Sequence, residues 1–327
     1  MSKAAARSWN SRETEIDLDI KQLRALLVIA ETGSVSRAAE ILNIVQPAVS
    51  RQLRLLEEDL GTALFSRGRR GMELTDSGQL LVEHARRALR ELDQAKAEIS
   101  PEPGVVTGIV TIGLLPSTSD LLAAPLITVL KQQHPKLTVR ISVGYAGYLQ
   151  KWLENGEVDV ALLYDPKPSS LLEAEPLLDE PLHLVGLPDA GLSQNCPVPL
   201  HDLKNRALIL PSQPHGLRLL LDQACAVAGI RLSIVAETND MSTQKNLVRH
   251  GLGLTILPGV AVFDDIAHGH LCAAPITAPD LQRIIVLALP IARRSSVAVR
   301  CAVSELRRQI KVLVNKNCWP GAHWLAA

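Results

Sequence analysis

The chain has 327 residues, of which 34 are lysine or arginine and 34 are aspartate or glutamate. This balance excludes the strong overall basicity by which some proteins coat nucleic acid, so any nucleic-acid site has to rest on local charge. The length allows two or three domains with well-filled cores, and the five scattered cysteines, without CxxC spacing, fit free thiols better than a disulfide framework.

Residues 1–17 are polar and follow neither helical nor strand periodicity, so we predict a disordered extension. This segment lacks the apolar core of a secretory signal peptide, and no later apolar run approaches the length of a membrane span. Together with the free thiols, these features predict a cytoplasmic protein.

The first predicted helix covers Ile20 to Thr32. Gly33 follows it, and glycine readily adopts the left-handed conformation that ends a helix. The predicted inward face of this helix consists of Ile20, Leu23, Leu27 and Ala30.

Two short amphipathic helices are predicted in the stretch from Gly33 to Gly61, with a break at Asn43–Ile44–Val45. Their apolar faces comprise Val35, Ala38, Ala39 and Leu42 in one helix and Val49, Leu53, Leu56 and Leu60 in the other. The opposite face of the second helix carries Gln46, Ser50, Arg51 and Arg54. Such side chains can hydrogen-bond base edges and phosphates, so this helix is predicted to read DNA. An ordinary helical hairpin with a solvated polar face is the alternative.

A short two-stranded wing is predicted after these helices. Leu64 and Phe65 lead into a glycine-flanked basic turn, and Met72 and Leu74 lead out of it. The arginines near the turn are Arg67, Arg69 and Arg70. Basic wing tips beside a recognition helix hold phosphates or reach into the minor groove, whereas a solvated surface run is the alternative.

Thr75 is placed to cap a long helix, and the charge of Asp76 suits the first turn of that helix. Apolar residues then recur at alternating spacings of four and three, which is a heptad seam. The seam consists of Leu81, Ala85, Ala88, Leu92, Ala95 and Ile99. It predicts a dimerising linker helix over 76–100, with packing on its own domain as the alternative. The segment SPEPG at 100–104 breaks this helix and is predicted to be a linker.

From residue 105 onward, strands rich in Val, Ile and Leu alternate with helical patterns, which predicts a parallel sheet covered on both faces. The expected strands are 108–115, 137–144, 158–164, 181–187, 206–211, 231–237, 253–258 and 282–290, and the expected helices are 117–135, 145–155, 216–227, 242–250 and 296–314. The pattern repeats and then returns to its first half, so we predict lobe I at 105–179 and 283–314 and lobe II at 180–282. The tail at 315–327 is expected to be peripheral.

Enzyme signatures are missing from the α/β half. The sequence contains no G-x-S-x-G, G-x-x-x-x-G-K-[ST] or H-E-x-x-H motif, and the Gly251–Gly253 segment precedes a strand rather than opening a helix. His268 and His270 have no Cys or acidic cluster at ligand spacing beside them, so we expect no metal and no cofactor. An enzyme, or a cytosolic solute-binding protein without a DNA role, remains the alternative for this half, but neither explains the segment from Gly33 to Arg70.

The sequence resembles the LysR-type transcriptional regulators from about Leu18 to Val314, most specifically in L-x-x-L at 23–26, GSVSRAAEILNIVQPAVSRQLRLLEEDLGTALFSR and LTDSGQ. The resemblance implies an α/β protein with an N-terminal all-α winged helix-turn-helix over 18–75, a long linker helix and a two-lobe effector domain shaped like a periplasmic solute-binding protein. It implies promoter DNA, a small-molecule effector and RNA polymerase as partners, and a homotetramer that bends DNA as a dimer of dimers. The segments LILPSQPHGLR and GLGLTILP are similar to the nitrogen-assimilation-control branch.

The resemblance also assigns DNA contacts by position. Base or groove contacts fall at Gln46, Pro47, Ser50, Arg51 and Arg54, backbone contacts at Ser34, Ser36 and Arg37, and wing contacts at Arg67, Arg69 and Arg70. One departure from the family pattern is Val45, which stands where a small or hydroxyl residue usually precedes the Gln-Pro pair. If Val45 is the N-cap, the recognition helix lacks a side-chain acceptor worth about 1 kcal/mol, unless Val45 packs instead.

In a two-lobe module the ligand is expected in the crevice at the carboxyl ends of the strands. The predicted effector-binding residues are Leu115, Pro116, Ser117, Thr118, Gly144, Tyr145, Tyr164, Ser212, Gln213, Asp240, Met241 and Thr255. Free backbone N–H groups at 117–119 would suit a carboxylate or another anion. Helix capping is the alternative role of Ser117 and Ser212, and the sequence does not decide whether His215 and Arg218 face the crevice.

Overall fold

The computed structural model describes residues 18–68, 71–99, 105–291 and 296–325. The chain forms two compact units, of which the first ends at Asp93 and the second begins at Gln94. The predicted extension at 1–17 and the predicted linker at 100–104 lie outside the described residues. Within them, no helix combines the length and the apolar character that crossing a membrane requires.

The first unit opens with helix α1 (Ile20–Thr32), which has the predicted bounds. Its buried face differs from the prediction, because Leu23, Leu26 and Ile29 point into the core. Ile20 is 40% exposed, since it lies in the first turn, and Leu27 and Ala30 are only half-buried. The prediction was therefore wrong for Ile20, whereas Leu27 and Ala30 pack against the margin of the core. The buried residues Gln22, Leu23, Ala25, Leu26 and Ile29 recur at spacings of three and four, as one face of a helix does.

Helices α2 (Val35–Leu42) and α3 (Gln46–Leu60) confirm the predicted pair. Asn43 has a φ of 54°, which places it in the left-handed region and turns the chain between the helices. The shared core of the first unit buries the inner residues of both helices, namely Ala38, Ala39, Val49, Leu53 and Leu56. Val35, Leu42 and Leu60 lie half-buried at the margin of this core.

Strands β1 (Phe65–Gly68) and β2 (Gly71–Leu74) pair antiparallel and form the predicted wing. The wing is tied to α3, since a carboxylate oxygen of Glu57 accepts hydrogen bonds from the N–H groups of Leu64 at 2.7 Å and Phe65 at 3.3 Å. The helix that carries the polar face and the wing are thus held together by charge-assisted bonds. Residues 69 and 70, between the strands, lie outside the described residues.

Helix α4 (Asp76–Ile99) follows, and the Thr75 hydroxyl accepts from the N–H of Gly78 at 3.0 Å as a cap. The first two seam residues pack in the core of the first unit, where Leu81 lies at the margin and Ala85 is 2% exposed. Farther along, Leu92 is 42% exposed and Ile99 is 82% exposed. The alternative for the seam is therefore correct at its beginning, because only that part packs on its own domain.

Lobe I of the second unit is built on β3 (Gly108–Leu114), which pairs in parallel with its neighbours on both sides. The elements that follow are α5 (Pro116–Gln133), β4 (Leu137–Val143), α6 (Ala146–Glu154) and β5 (Val160–Tyr164). Their Val, Ile and Leu side chains form one large buried cluster. These strands agree with the predicted ones to within two residues.

Strand β6 (Leu172–Gly186) is longer than predicted and passes from lobe I into lobe II. Lobe II adds β7 (Val198–Pro199), β8 (Ala207–Leu210), α7 (Gly216–Ala228), β9 (Ser233–Glu237), α8 (Met241–Arg249), β10 (Leu254–Pro258), α9 (Phe263–Ala267) and β11 (Cys272–Thr277). Strand β12 (Gln282–Pro290) returns along β6 in antiparallel register. The sheet order is β4-β3-β5-β12-β6-β10-β8-β9, so β6 and β12 connect the two lobes.

Helix α10 (Val297–Asn315) covers lobe I, and the short strand β13 (His323–Trp324) pairs with β6. The expectation of a peripheral tail was therefore wrong. Trp319 is only 1% exposed, and its indole N–H donates to a carboxylate oxygen of Glu180 at 2.6 Å. A large apolar ring that finds both a core and a buried acceptor does not stay on the surface.

Candidate functional site

The exposed face of α3 carries the side chains that the sequence assigned to DNA. The amide of Gln46 donates to the Ser50 hydroxyl at 3.3 Å, and Arg54 forms an exposed ion pair with Glu58 at 3.3 Å. Arg51 is exposed and has no hydrogen-bond or ion-pair partner among the described residues. Its guanidinium therefore keeps its planar set of donors free for an external acceptor.

The residues assigned to the DNA backbone lie in the same unit. Ser34 is the N-cap of α2, and its hydroxyl accepts from the N–H of Arg37 at 3.4 Å. The side chains of Ser36, Arg37 and Arg67 are exposed or half-buried. Arg69 and Arg70 lie outside the described residues. Of the two arginines on α3, Arg54 is paired with Glu58, and Arg51 has no partner among the described residues.

Val45 is the N-cap residue of α3 and supplies no side-chain hydrogen bond to the helix. Its side chain is 70% exposed, so it does not pack in compensation. We therefore expect Val45→Ser to raise the free energy of unfolding of the first unit by about 1 kcal/mol, because serine can accept from a free N–H of the first turn. The measurement is the melting temperature of the full chain, with Val45→Ala as the matched control. A lower melting temperature for the serine variant than for the wild type would contradict this prediction.

A second candidate site is a narrow cleft, partly open to solvent, between the two lobes of the second unit. From lobe I it is lined by Leu115, Pro116, Ser117, Tyr145 and Tyr164, and from the strand that connects the lobes by Arg283. From lobe II it is lined by Pro211, His215, Leu217, Met241, Gln244, Leu257 and Pro258. The predicted crevice at the carboxyl ends of the strands is thus the cleft that the fold forms.

Some predicted effector residues do not line this cleft, because neighbouring groups already bind their side chains. Ser212 donates its N–H and its hydroxyl to Asn239, at 3.0 and 2.9 Å, and the Gln213 amide donates to Asp222 at 2.7 Å. The Asp240 carboxylate caps α8 by accepting from Thr243 at 2.7 Å. These side chains stabilise local turns and helix ends.

The remaining predicted residues that miss the cleft are buried behind it or packed tightly. Thr118 is fully buried and donates its hydroxyl to the carbonyl of Leu115 at 3.1 Å. Gly144 packs against Trp152 so closely that a Cβ there would lie 2.8 Å from the indole ring. Thr255 is also fully buried and donates to the carbonyl of Ile209 at 2.7 Å.

The predicted anion cradle at the start of α5 is corrected by the structure. The helix begins at Pro116 after Leu115, and neither Ser117 nor Ser119 caps it. The N–H groups of Thr118 and Ser119 both donate to the carbonyl of Leu115, at 2.9 and 3.0 Å. Two of the three backbone donors that were expected to be free are therefore already bonded.

Arg283 lines the cleft but was not among the residues predicted from the sequence. It lies directly opposite Glu180 in the register of β12 and β6, and its Nε donates to Glu180 at 2.5 Å. Its Nη2 donates to the Ser117 hydroxyl at 2.9 Å, and the guanidinium lies over the Tyr164 ring at 4.6 Å from the centroid. The Ser117 hydroxyl therefore does not cap α5, and it is not without a partner, because it accepts a hydrogen bond from Arg283. An arginine in an otherwise apolar strand, QRIIVLALP, was the signal that could have found it.

Aromatic groups bridge the cleft from both lobes. The Tyr145 hydroxyl accepts from the N–H of Met241 at 3.2 Å, and its ring meets the His215 ring edge-on at 4.8 Å between centroids. Burial raises the pKa of both Tyr145 and Tyr164. Burial, together with the Arg283 charge, lowers the pKa of His215 to about 4, so this imidazole is neutral at pH 7.

This histidine gives the second unit an expected sensitivity to acid. An unfolded histidine binds a proton near pH 6.5, whereas His215 in the folded chain binds one near pH 4. Below pH 6.5 the unfolded state therefore holds more protons, and stability falls as the pH falls towards 4. Between pH 7 and pH 5 the free energy of unfolding of the wild type should fall. For His215→Gln we expect this fall to be smaller by about 1 to 2 kcal/mol. Urea unfolding at both pH values measures the difference, and equal losses in the two proteins would contradict the prediction.

Arg218 does not line the cleft, and it is occupied by structural partners. It forms ion pairs with Asp222 at 2.9 Å and with Glu237 at 2.6 Å, and it donates to the carbonyl of Pro211 at 3.0 Å. No cluster of His, Cys, Asp and Glu among the described residues could hold a metal ion. His268 and His270 are stacked with their ring centroids 5.9 Å apart.

An exposed polar helix in a winged helix-turn-helix unit, joined to a two-lobe unit with a cleft, defines a ligand-responsive DNA-binding regulator. Residues 20–79 match the family described as bacterial regulatory helix-turn-helix protein, lysR family, and residues 103–311 match the LysR substrate binding domain. The chain belongs to the LysR family of transcriptional regulators. It is a regulator with an effector-binding domain, and its relatives are not enzymes.

Relatives and solved structures agree with this membership. The HTH-type transcriptional regulator BbuR of Bordetella bronchiseptica is 34% identical over 93% of this chain and 94% of that protein. The nitrogen assimilation regulatory protein nac of Escherichia coli is 30% identical over 92% of this chain and 99% of that protein. A full-length OxyR variant from Pseudomonas aeruginosa has the same fold, with a TM-score of 0.71 at 22% identity, over 95% of this chain and 99% of that one. CbnR complexed with its target DNA also has this fold, with a TM-score of 0.66 at 22% identity, over 89% of this chain and 100% of that one.

Proposed function

We propose that this regulator reads double-stranded promoter DNA through the exposed face of α3. The observation that carries the proposal is the row of Gln46, Ser50 and Arg51, which lies on the outer face of the helix and lacks a competing acid beside Arg51. Glutamine pairs with adenine and arginine pairs with guanine in the major groove, so these side chains supply direct readout. Arg54, Pro47 and the groups at Ser34, Ser36, Arg37, Arg67, Arg69 and Arg70 are proposed to complete the groove, backbone and wing contacts. DNA binding as such is supported by CbnR, a protein of the same fold whose structure was solved in complex with its target DNA.

The cleft of the second unit is proposed to bind a small-molecule co-inducer that modulates DNA binding or promoter activation. Its walls come from both lobes, so a ligand there would touch both at once. A ligand that binds one arrangement of the lobes better than another shifts the population toward it. Such a shift is the means by which the cleft would communicate with the promoter. We place the regulator in the cytoplasm, where bacterial promoter DNA and RNA polymerase, its proposed further partner, are present.

The outer half of the α4 seam is proposed to pair with a second copy of the chain, and two such dimers are proposed to form a tetramer. Leu92 and Ile99 are exposed at heptad positions, and uncovered apolar seams of this kind bury themselves against another helix. We expect Leu92→Asp to weaken self-association about tenfold or more, because the seam would have to bury a charge. Sedimentation equilibrium measures the change, and Glu91→Asp on the same helix is the control. Unaltered association of the Leu92→Asp variant would contradict the pairing.

A gel shift with DNA from upstream of the protein's own gene tests the proposed function. At low salt the full chain should retard this fragment and should retard a shuffled fragment of the same composition much less. Candidate metabolites are added in parallel, because a co-inducer can be required for binding. No retardation under any of these conditions would overturn the regulator's assignment to that promoter. Equal retardation of both fragments would overturn direct readout by α3.

A further inference from the structure

We propose that Arg283 is the charge-selecting group of the cleft, and that the co-inducer is a small monocarboxylate with a compact apolar body. The inference rests on the proposed function, which places a co-inducer in this cleft. Arg283 is only 8% exposed, yet it lines the cleft. A buried arginine that faces a ligand cavity is a strong source of specificity for planar anions.

The hydrogen bonds of the Arg283 guanidinium leave some of its N–H donors free for a ligand. Its Nε edge is held by Glu180 at 2.5 Å, and one Nη2 donor is held by Ser117 at 2.9 Å. Arginine has five N–H donors, and those on Nη1 and the second on Nη2 have no partner among the described residues. A carboxylate can accept from these remaining donors. The Ser117 hydroxyl accepts from Arg283, so its own hydrogen remains free to donate to the same carboxylate.

Glu180 holds Arg283 in place without closing the site. Its side chain is fully buried, and its second oxygen accepts from the Trp319 indole at 2.6 Å. Glu180 thus divides its negative charge between an indole N–H and the far edge of the guanidinium. The N–H donors of the guanidinium that have no partner among the described residues are left to attract a further acceptor. Glu180 and Trp319 are positioning residues in this arrangement, since they act through Arg283.

The rest of the lining selects the body of the ligand. Among the described residues that line the cleft, Arg283 is the one that carries a charge at pH 7, since His215 is neutral there. The walls are otherwise dominated by apolar groups such as Leu115, Leu217, Met241 and Leu257. The free N–H donors of one guanidinium match one anionic group, and an apolar wall disfavours a second charge. The lining therefore favours monocarboxylates over dicarboxylates and amines.

Isothermal titration of the full chain with cyclohexanecarboxylate and with its uncharged amide, cyclohexanecarboxamide, tests the proposal. The two probes share one apolar ring and differ in the charge of the head group. We expect the wild type to bind the carboxylate at least about tenfold more tightly than the amide. Binding of the two within about threefold, or no binding of the carboxylate up to about 20 mM, would overturn the proposal.

Variants of the cleft test whether the charge of Arg283 selects the ligand without destabilising the fold. The pair Glu180→Gln with Arg283→Met removes both buried charges together, so neither is left unpaired, and it should lose the preference for the carboxylate. Ser117→Ala, which removes one hydroxyl, should weaken carboxylate binding about three- to tenfold. Arg206→Met, which changes an arginine of lobe II outside the cleft, is the matched control. Unchanged carboxylate preference in the charge-free pair would overturn the role of Arg283.

A gel shift on the same preparations keeps the two proposals apart. Loss of DNA binding with intact carboxylate binding would count against the promoter assignment alone. Intact DNA binding with no preference for the carboxylate would count against Arg283 as the charge-selecting group and would leave the promoter assignment standing.

Discussion

Replacing Glu180 by alanine is expected to lower the free energy of unfolding of the second unit by about 3 to 5 kcal/mol. The carboxylate is fully buried and holds two donors, the Arg283 guanidinium and the Trp319 indole. Its removal leaves a buried positive charge without a counter-charge and an indole N–H without an acceptor. Breaking a buried pair from one side is far more destabilising than removing both partners, because the remaining ion cannot be solvated.

Urea unfolding followed by tryptophan fluorescence measures this loss. Trp152, Trp319 and Trp324 lie in the second unit, so the signal reports mainly on that unit. The matched control is Glu175→Ala, which removes a carboxylate that pairs with Arg307 while about 40% exposed. That change should cost less than about 1 kcal/mol, because water screens the pair. A loss of less than about 1 kcal/mol for Glu180→Ala would show that the buried network carries little of the stability.

Replacing Arg51 by alanine is expected to weaken binding to a specific promoter by about 1 to 3 kcal/mol, or roughly 5- to 150-fold. Arg51 has no partner among the described residues, whereas Arg54 is already paired with Glu58. A guanidinium that is free in the unbound protein gives up no ion pair when it binds guanine. Arg51→Ala should therefore weaken the binding free energy for the promoter more than Arg54→Ala does. It should also relax the preference for one base pair of the site.

Fluorescence anisotropy with the promoter fragment and with each single-base variant measures both effects. Arg67→Ala should weaken binding to all fragments alike and lower the slope of log K against log salt by about one, as a phosphate contact does. Arg231→Ala, an exposed arginine of lobe II, is the control for a general change in charge. If Arg51→Ala and Arg67→Ala gave the same profile across the base variants, the division between base and phosphate contacts would be wrong.

Local patterns predicted most of the elements, and their failures have a common cause. Helices α1 to α3 and the central strands follow from periodicity, since their apolar residues repeat at 3.6 or form continuous runs. The first half of β6 was missed because LEAEPLLDE alternates poorly and contains acids and a proline. Its strand conformation depends on pairing with β12, more than a hundred residues away. The inward face of α1 also depended on its neighbours, which a single helix does not reveal.

The sequence predicted where the candidate cleft lies better than it predicted which side chains line it. The rule that ligands bind at the carboxyl ends of parallel strands identified the cleft and about half of its predicted residues. It could not say which side chains were already occupied, as Ser212 is by Asn239. Nor could it bring together Ser117, Glu180, Arg283 and Trp319, which are far apart in sequence. Contacts of that kind follow from the register of β6 and β12 and from the packing of the tail.

The place of the Arg283–Glu180 pair on the two connecting strands has a mechanical consequence. When two bodies rotate about a shared axis, points near the axis move least and points far from it move most. Arg283 and Glu180 lie opposite each other where β6 and β12 pass between the lobes, so they would lie near the axis of a rotation of one lobe against the other. The bond from Met241 to Tyr145 spans the lobes and would be broken by their separation. A carboxylate would thus meet Arg283 in nearly the same position whether the two lobes are apart or together. The contact between Met241 and Tyr145, far from the axis, would be the part that changes when the ligand binds.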